Sequence, residues 1–214
     1  EDNVNLYRKG FYSMIKTVKK IISYIMVCVL FLSMCIPCEA AQTSTATASD
    51  ANATTGFPQI TSTSAIIMDA QSGQIIYEKN SHTRQYPASI TKIMTAYLAI
   101  KNGDLNSTIT MSDAAVWGID RNSSHIALDV GEEISMSDAL YAVMLMSANE
   151  AAWAIAEQVS GSLENFVQLM NDTAQSLGCK DTHFTNANGL HDPDHYTTAY
   201  DMALITKEAL TSKT

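Results

Sequence analysis

Ser89-Ile90-Thr91-Lys92 sets a hydroxyl and an amine three residues apart. On a helix that spacing brings the two side chains to one face, so the Lys92 amine can reach the Ser89 hydroxyl. A serine beside an amine is a nucleophile beside its base, the pairing that acyl transfer uses. To take the serine proton the amine must be neutral, which requires burial or a nearby cation to lower its pKa. The largely apolar run from Ile93 to Ile100 offers that burial. The spacing alone is not selective, because Ser13-Met14-Ile15-Lys16 repeats it near the start of the chain.

A second polar group narrows the reading. Ser147-Ala148-Asn149 stands between two apolar stretches, Ala139 to Met146 and Ala151 to Ile155. Taken alone, such a triplet is a helix junction whose Ser and Asn cap backbone groups. Taken with Ser89 and Lys92, the Ser147 hydroxyl reads as a proton relay and the Asn149 amide as a substrate clamp.

These side chains need elements to hold them. Pro87 is expected to keep the chain extended ahead of a helix that Gly103 closes, leaving Ser89 at the helix N-terminus. There, unpaired backbone N–H groups favour the oxyanion formed when a carbonyl is attacked. Before that helix come a hairpin turning at Gln71-Ser72-Gly73 and a loop from Asn80 to Ala88. A short strand near Ile109-Thr110-Met111 follows, and then mostly helix. The helices are predicted at Ser137 to Met146, Glu150 to Val159, Leu163 to Leu177 with Ser162 as cap and Gly178 as stop, and Thr198 to Leu210. The fold class is α+β, with a helical lobe.

At these residues the sequence resembles the penicillin-recognising serine hydrolases, and within them the D-alanyl-D-alanine carboxypeptidases. The resemblance covers roughly Phe57 to Leu210. It rests on Ala65-Ile66-Ile67-Met68-Asp69 with Gly73-Gln74-Ile75-Ile76-Tyr77, on Tyr86 to Lys92, on Phe184-Thr185-Asn186-Ala187-Asn188-Gly189-Leu190, and on Tyr196 to Ala203, all in the family's order. It implies a β-lactamase/transpeptidase-like fold, a helical lobe with an antiparallel sheet. Carried over, Ser89 is the nucleophile, Lys92 the general base, Ser147 the proton relay and Asn149 a substrate contact. The implied substrate is a peptidoglycan stem peptide and the implied inhibitors are β-lactams. The family's catalysis uses no metal or other cofactor.

One family motif, Lys-Thr-Gly, is not in the sequence. Ser212-Lys213-Thr214 approaches it, but directly behind a predicted helix rather than on a strand, so it is read as coincidence. The chain is therefore expected to be truncated before the C-terminal sheet strands, holding two strands of about five in the implied sheet. With part of the oxyanion hole missing, a loss of about a hundred- to a thousandfold, the 214 residues are expected to be inactive by themselves. Two other readings stand beside the peptidase. One is a β-lactamase of the same superfamily, although Ala148 replaces the Asp common in that motif. The other is a non-catalytic, wall-binding scaffold.

The N-terminal region is expected to be separate from the domain. Residues 1–13 are read as an upstream extension and 14–40 as a signal peptide. Lys16, Lys19 and Lys20 precede the apolar run Ile21 to Ile36, and Cys38-Glu39-Ala40-Ala41 supplies small residues for cleavage. Residues 41–56 form a Thr/Ala/Ser-rich linker, and 57–214 the peptidase domain. This places the mature domain across the cytoplasmic membrane, extracellular or on the periplasmic face. Membrane association through a C-terminal segment not in this chain is left open.

Cys28, Cys35 and Cys38 leave with the leader, so Cys179 stays as a lone structural thiol with no internal disulfide partner. The whole chain has a net charge of −9; beyond residue 40 it has 8 Lys and Arg against 19 Asp and Glu, a net of −11. That acidity argues against a nucleic-acid partner. His191-Asp192-Pro193-Asp194-His195 is rich in potential metal ligands, but Pro193 breaks any helical pairing and the stretch reads as a polar surface loop. The scattered methionines, Met136, Met144, Met146 and Met170 among them, are expected to pack in the core.

Overall fold

The computed structural model describes residues 59–212; the predicted extension, leader, linker and Lys213-Thr214 lie outside the described residues. It opens with an antiparallel hairpin, β1 (Ala65–Met68) and β2 (Ile75–Lys79). Asp69 folds the turn, its Oδ1 accepting from the Ser72 amide at 2.7 Å and the Ser72 hydroxyl at 2.6 Å. The register pairs Ile67 with Tyr77 and then slips at a bulge, so that Met68 meets Ile75.

A 3₁₀ turn (Ala88–Thr91) leads into α1 (Lys92–Asn102). Next come β3 (Thr108–Thr110), the short α2 (Asp113–Trp117), and β4 (Glu133–Ser135), which pairs with β3 in a second two-stranded sheet. The remaining helices are α3 (Met136–Met146), α4 (Asn149–Ser160), α5 (Leu163–Ser176) and α6 (Ala199–Ala209). Hydroxyl caps start four of the helices: Ser112 on α2, Ser135 on α3, Ser162 on α5 and Thr198 on α6.

Helix α1 is apolar on nearly every side and is accordingly buried from Met94 to Ala99. One face of the lobe packs Ala99 with Ile109, Val116, Met136, Val143 and Ile155. The other packs Met94 and Leu98 with Phe166, Met170, Phe184 and Ile205. Small residues on α4, Ala151, Ala152, Ala154 and Ala156, are all buried; their size lets helices approach closely. Between the hairpin and α6 runs an apolar groove of about 440 Å³, lined in part by Ile67, Ile93 and Met202; none of Ser89, Lys92, Ser147 or Asn149 opens into it.

Three expectations fail. Pro87 is not extended: its ψ of −23° puts it in the helical region, and Ala88 follows at φ +49°. Ser89 therefore lies inside a 3₁₀ turn, and the α-helix starts only at Lys92. His195 is not on the surface but 2% exposed. Met136 and Met170 are fully buried, whereas Met144 and Met146 are exposed at the end of α3 with Tyr141 and Leu145.

Candidate active site

The site lies where the 3₁₀ turn, the α3–α4 junction and the loop after α5 converge. Ser89 is exposed, while Lys92, one turn on, is buried at 2% exposure. The Lys92 Nζ lies 2.7 Å from Asn149 Oδ1, 2.6 Å from the Asn188 carbonyl oxygen and 3.3 Å from Ser89 Oγ. Ser147 Oγ donates to Ser89 Oγ at 2.8 Å. The four residues singled out from the sequence thus share one hydrogen-bonded cluster.

Each partner is held in turn. Ser147 takes φ +56° as it ends α3, a left-handed conformation that turns the chain directly into α4. The Asn149 amide is oriented by its other end, because Nδ2 donates at 2.8 Å to Ser123 Oγ, whose own proton goes to the Asp120 carbonyl. That leaves Oδ1 facing Lys92. The Ser123 loop is tied to α4 by two further bonds, from the Asn149 backbone N–H to the Ser124 carbonyl at 2.9 Å and from the Ile126 backbone N–H to Glu150 Oε1 at 2.7 Å.

Asn188 belongs to a tight turn in which Asn186 Oδ1 accepts from the amides of Asn188 at 3.2 Å and Gly189 at 2.7 Å. Gly189, at φ +83°, presses against the turn that carries Ser89, where a Cβ would lie 1.9 Å from the Ala88 carbonyl oxygen. Upstream of this turn the chain is anchored on α6 by Asp201, whose Oδ2 accepts from the amides of Lys180 and Asp181 and from the Thr182 hydroxyl.

The partners around Lys92 define what it can do. A neutral amine has two N–H donors and one lone pair. The two short bonds run to carbonyl-type oxygens, which only accept, so both N–H groups are committed to Asn149 and Asn188. The lone pair is then left for the Ser89 hydroxyl, the geometry of a base. Burial lowers the Lys92 pKa to about 8, opposed by the charge of Glu150.

Cys179 is no competing nucleophile. It is half-buried, and burial together with the Asp201 charge pushes its thiol up to about 12, so it holds its proton at neutral pH.

Sequence reasoning missed Asn188, because it contributes a backbone carbonyl, which residue type does not encode. It also missed Ser123, whose partner lies 26 residues away. Gly189 is a usable signal, since a left-handed φ favours glycine and the residue belongs to the stretch Phe184 to Leu190 that carries the family resemblance.

Among the described residues, no helix is long and apolar enough to cross a membrane. Residues 49–214 match the family described as D-alanyl-D-alanine carboxypeptidase, peptidase family S11. DacA of Haemophilus influenzae, a D-alanyl-D-alanine carboxypeptidase, is 43% identical over 156 residues, which is 69% of this chain and 39% of the relative. DacF of Bacillus subtilis, named as the same enzyme, is 41% identical over 150 residues, 69% of this chain and 38% of its own. The chain thus spans about two fifths of the curated relatives it matches. Among solved structures, penicillin binding protein 5 from H. influenzae superposes with a TM-score of 0.68 at 39% identity, covering 72% of this chain and 46% of that one. The carboxypeptidase DacD from Francisella tularensis gives 0.66 at 34%, covering 70% and 37%. The fold is accordingly part of the penicillin-binding carboxypeptidase fold, and the chain belongs to the D-alanyl-D-alanine carboxypeptidase family, peptidase family S11.

Proposed function

We propose that the protein carrying this domain is a serine-type D-Ala-D-Ala carboxypeptidase that removes the terminal D-alanine from peptidoglycan stem peptides and is acylated by β-lactams. The observation that supports this most is the Lys92 amine, whose two N–H groups are engaged by Asn149 and Asn188 and whose remaining position meets Ser89.

Ser89 Oγ attacks the carbonyl carbon of the terminal peptide bond while the Lys92 amine takes its proton. The proton passes through the Ser147 hydroxyl, 2.8 Å from Ser89, to the leaving nitrogen as the C–N bond breaks. D-Alanine departs, and water, activated by the same amine, releases the acyl group. Asn149 Nδ2 has a second N–H beyond the one given to Ser123, and this donor is available to a substrate carbonyl. In this reading the segment 14–40 is a leader that directs export, the mature domain works outside the cytoplasmic membrane, and residues 1–214 by themselves, with no Lys-Thr-Gly, are inactive.

The test uses the full-length protein and fluorescent penicillin, followed by intact mass, peptide mapping and an assay of D-alanine release. A stable adduct on Ser89 that Ser89→Ala abolishes, with D-alanine release, is the expected result. A folded protein that gives no adduct refutes the reading, and rapid turnover of penicillin replaces it with a β-lactamase. The acylation rate is expected to rise with pH and level off above about 8, because only neutral Lys92 can act as base. Below that point the neutral fraction falls about tenfold per pH unit, so pH 6 should be about ten times slower than pH 7.

A further inference from the structure

His195 stands outside the cluster just described, yet it is the most deeply placed titratable ring next to it. Its Nε2 lies 2.8 Å from Thr91 Oγ1, and both residues are buried. Its Nδ1 faces the Thr185 backbone amide at 3.0 Å, with the Thr185 hydroxyl at 3.3 Å. A backbone N–H can only donate, so Nδ1 is the acceptor and Nε2 carries the proton and donates it to Thr91. The ring also sits edge-on to Phe184, 5.6 Å between centroids, which fixes its plane.

Thr91 lies between the nucleophile and the base in sequence. It stands at the start of α1 but does not cap the helix; its hydroxyl is turned to His195 instead. The His195 ring therefore clamps the 3₁₀ turn to the segment 185–195, and that segment delivers the Asn188 carbonyl to Lys92 and seats Gly189 against Ala88. Two sides of the Ser89–Lys92 pair are thus referred to one ring.

We propose that His195, acting through the Thr91 hydroxyl, is a positioning residue that sets the distance between Ser89 and Lys92. The proposal rests on the acyl-transfer reading given above. Burial lowers the His195 pKa to about 4, with Asp192 opposing and His183 assisting, so the ring stays neutral and keeps one donor and one acceptor through the range where Lys92 titrates. The other charge bearing on Lys92 is Glu150 of α4.

The experiment compares Thr91→Val, Thr91→Ser and His195→Gln in the full-length protein, with folding checked by circular dichroism. Two readouts are taken: the rate of Ser89 acylation per titratable site, and the pH dependence of Lys92 reactivity toward acetic anhydride by peptide mapping. Thr91→Val is expected to slow acylation about ten- to a hundredfold and move the Lys92 midpoint upward from about 8, while Thr91→Ser stays within about threefold of the parent. His195→Gln keeps an N–H for Thr91 but exchanges the ring for a flexible chain, and should fall between them. A folded Thr91→Val protein with the parent's Lys92 midpoint overturns the proposal, as does one with the parent's acylation rate. Absence of any adduct on the parent instead refutes the acyl-transfer reading, and the anhydride profile still tests the positioning.

Discussion

Lys92→Met in the full-length protein is expected to slow acylation of Ser89 by penicillin about a hundred- to ten-thousandfold, the range that a positioned base contributes. Methionine keeps the apolar stem and volume in a site that is 2% exposed but supplies no lone pair to the serine hydroxyl 3.3 Å away. The stability change is the balance of two opposing terms. Asn149 Oδ1 and the Asn188 carbonyl lose their donor, at about 1–3 kcal/mol for each acceptor left unpaired. Against that, the folded protein no longer buries an amine whose protonated form is disfavoured there. For the parent, this penalty is fully present below the folded midpoint near 8 and is relieved as pH rises from there to the unfolded value of 10.5. Folding stability in that window should therefore rise with pH, and the slope should vanish in Lys92→Met. A time course with fluorescent penicillin and a thermal melt at two pH values check both parts. Acylation within tenfold of the parent would remove Lys92 from the role of base.

Gly189→Ala is the second large effect, and it should strike stability and rate together. The added Cβ would lie 1.9 Å from the Ala88 carbonyl oxygen and 2.4 Å from its carbon, so backbone rather than a flexible side chain must move. Overpacking costs about 1–3 kcal/mol and a left-handed non-glycine residue about 1–2 kcal/mol more. A loss of about 2–5 kcal/mol is expected from the two together. Because the displaced atoms belong to the residue before Ser89, the acylation rate of the folded fraction should also fall about a hundredfold. Gly131 provides the control. It has a similar φ of +81° and nothing within 4 Å of its Cβ position, so Gly131→Ala should show only the conformational cost of about 1–2 kcal/mol and leave the rate unchanged. Denaturant melts and penicillin labelling of both variants separate the contact from the backbone strain.

Much of the scaffold was legible because it is locally written. Ser162 and Thr198 announce α5 and α6, and Gln71-Ser72-Gly73 announces the hairpin turn. Helix α2 was not, although Ser112 caps it, because five residues are too few to show a helical period. The three-residue β4 fails for the same reason, its pairing with β3 being set 25 residues away in sequence. The conformation at Pro87 and Ala88 was misjudged because it is imposed from outside: Ser89 is presented by a 3₁₀ turn wedged against Gly189. That Ser89, Lys92, Ser147 and Asn149 come together could be anticipated because the reading rested on their side-chain types. Asn188 and His195 could not, since one acts through its backbone and the other lay in a stretch whose polarity suggested solvent.

The bonds that assemble this site span long stretches of chain: 57 residues from Lys92 to Asn149, 58 from Ser89 to Ser147, 96 from Lys92 to Asn188 and 104 from Thr91 to His195. Each closes a large loop, an ordering cost met only after the helices have docked. Closure of the cluster around Ser89 and Lys92 is therefore expected late in folding, after the helices have formed. In the refolding full-length protein, far-ultraviolet ellipticity should recover before the proposed ability to capture penicillin. On that expectation covalent labelling would count molecules that have completed the last long-range closures, and partly folded ones would stay invisible to the inhibitor.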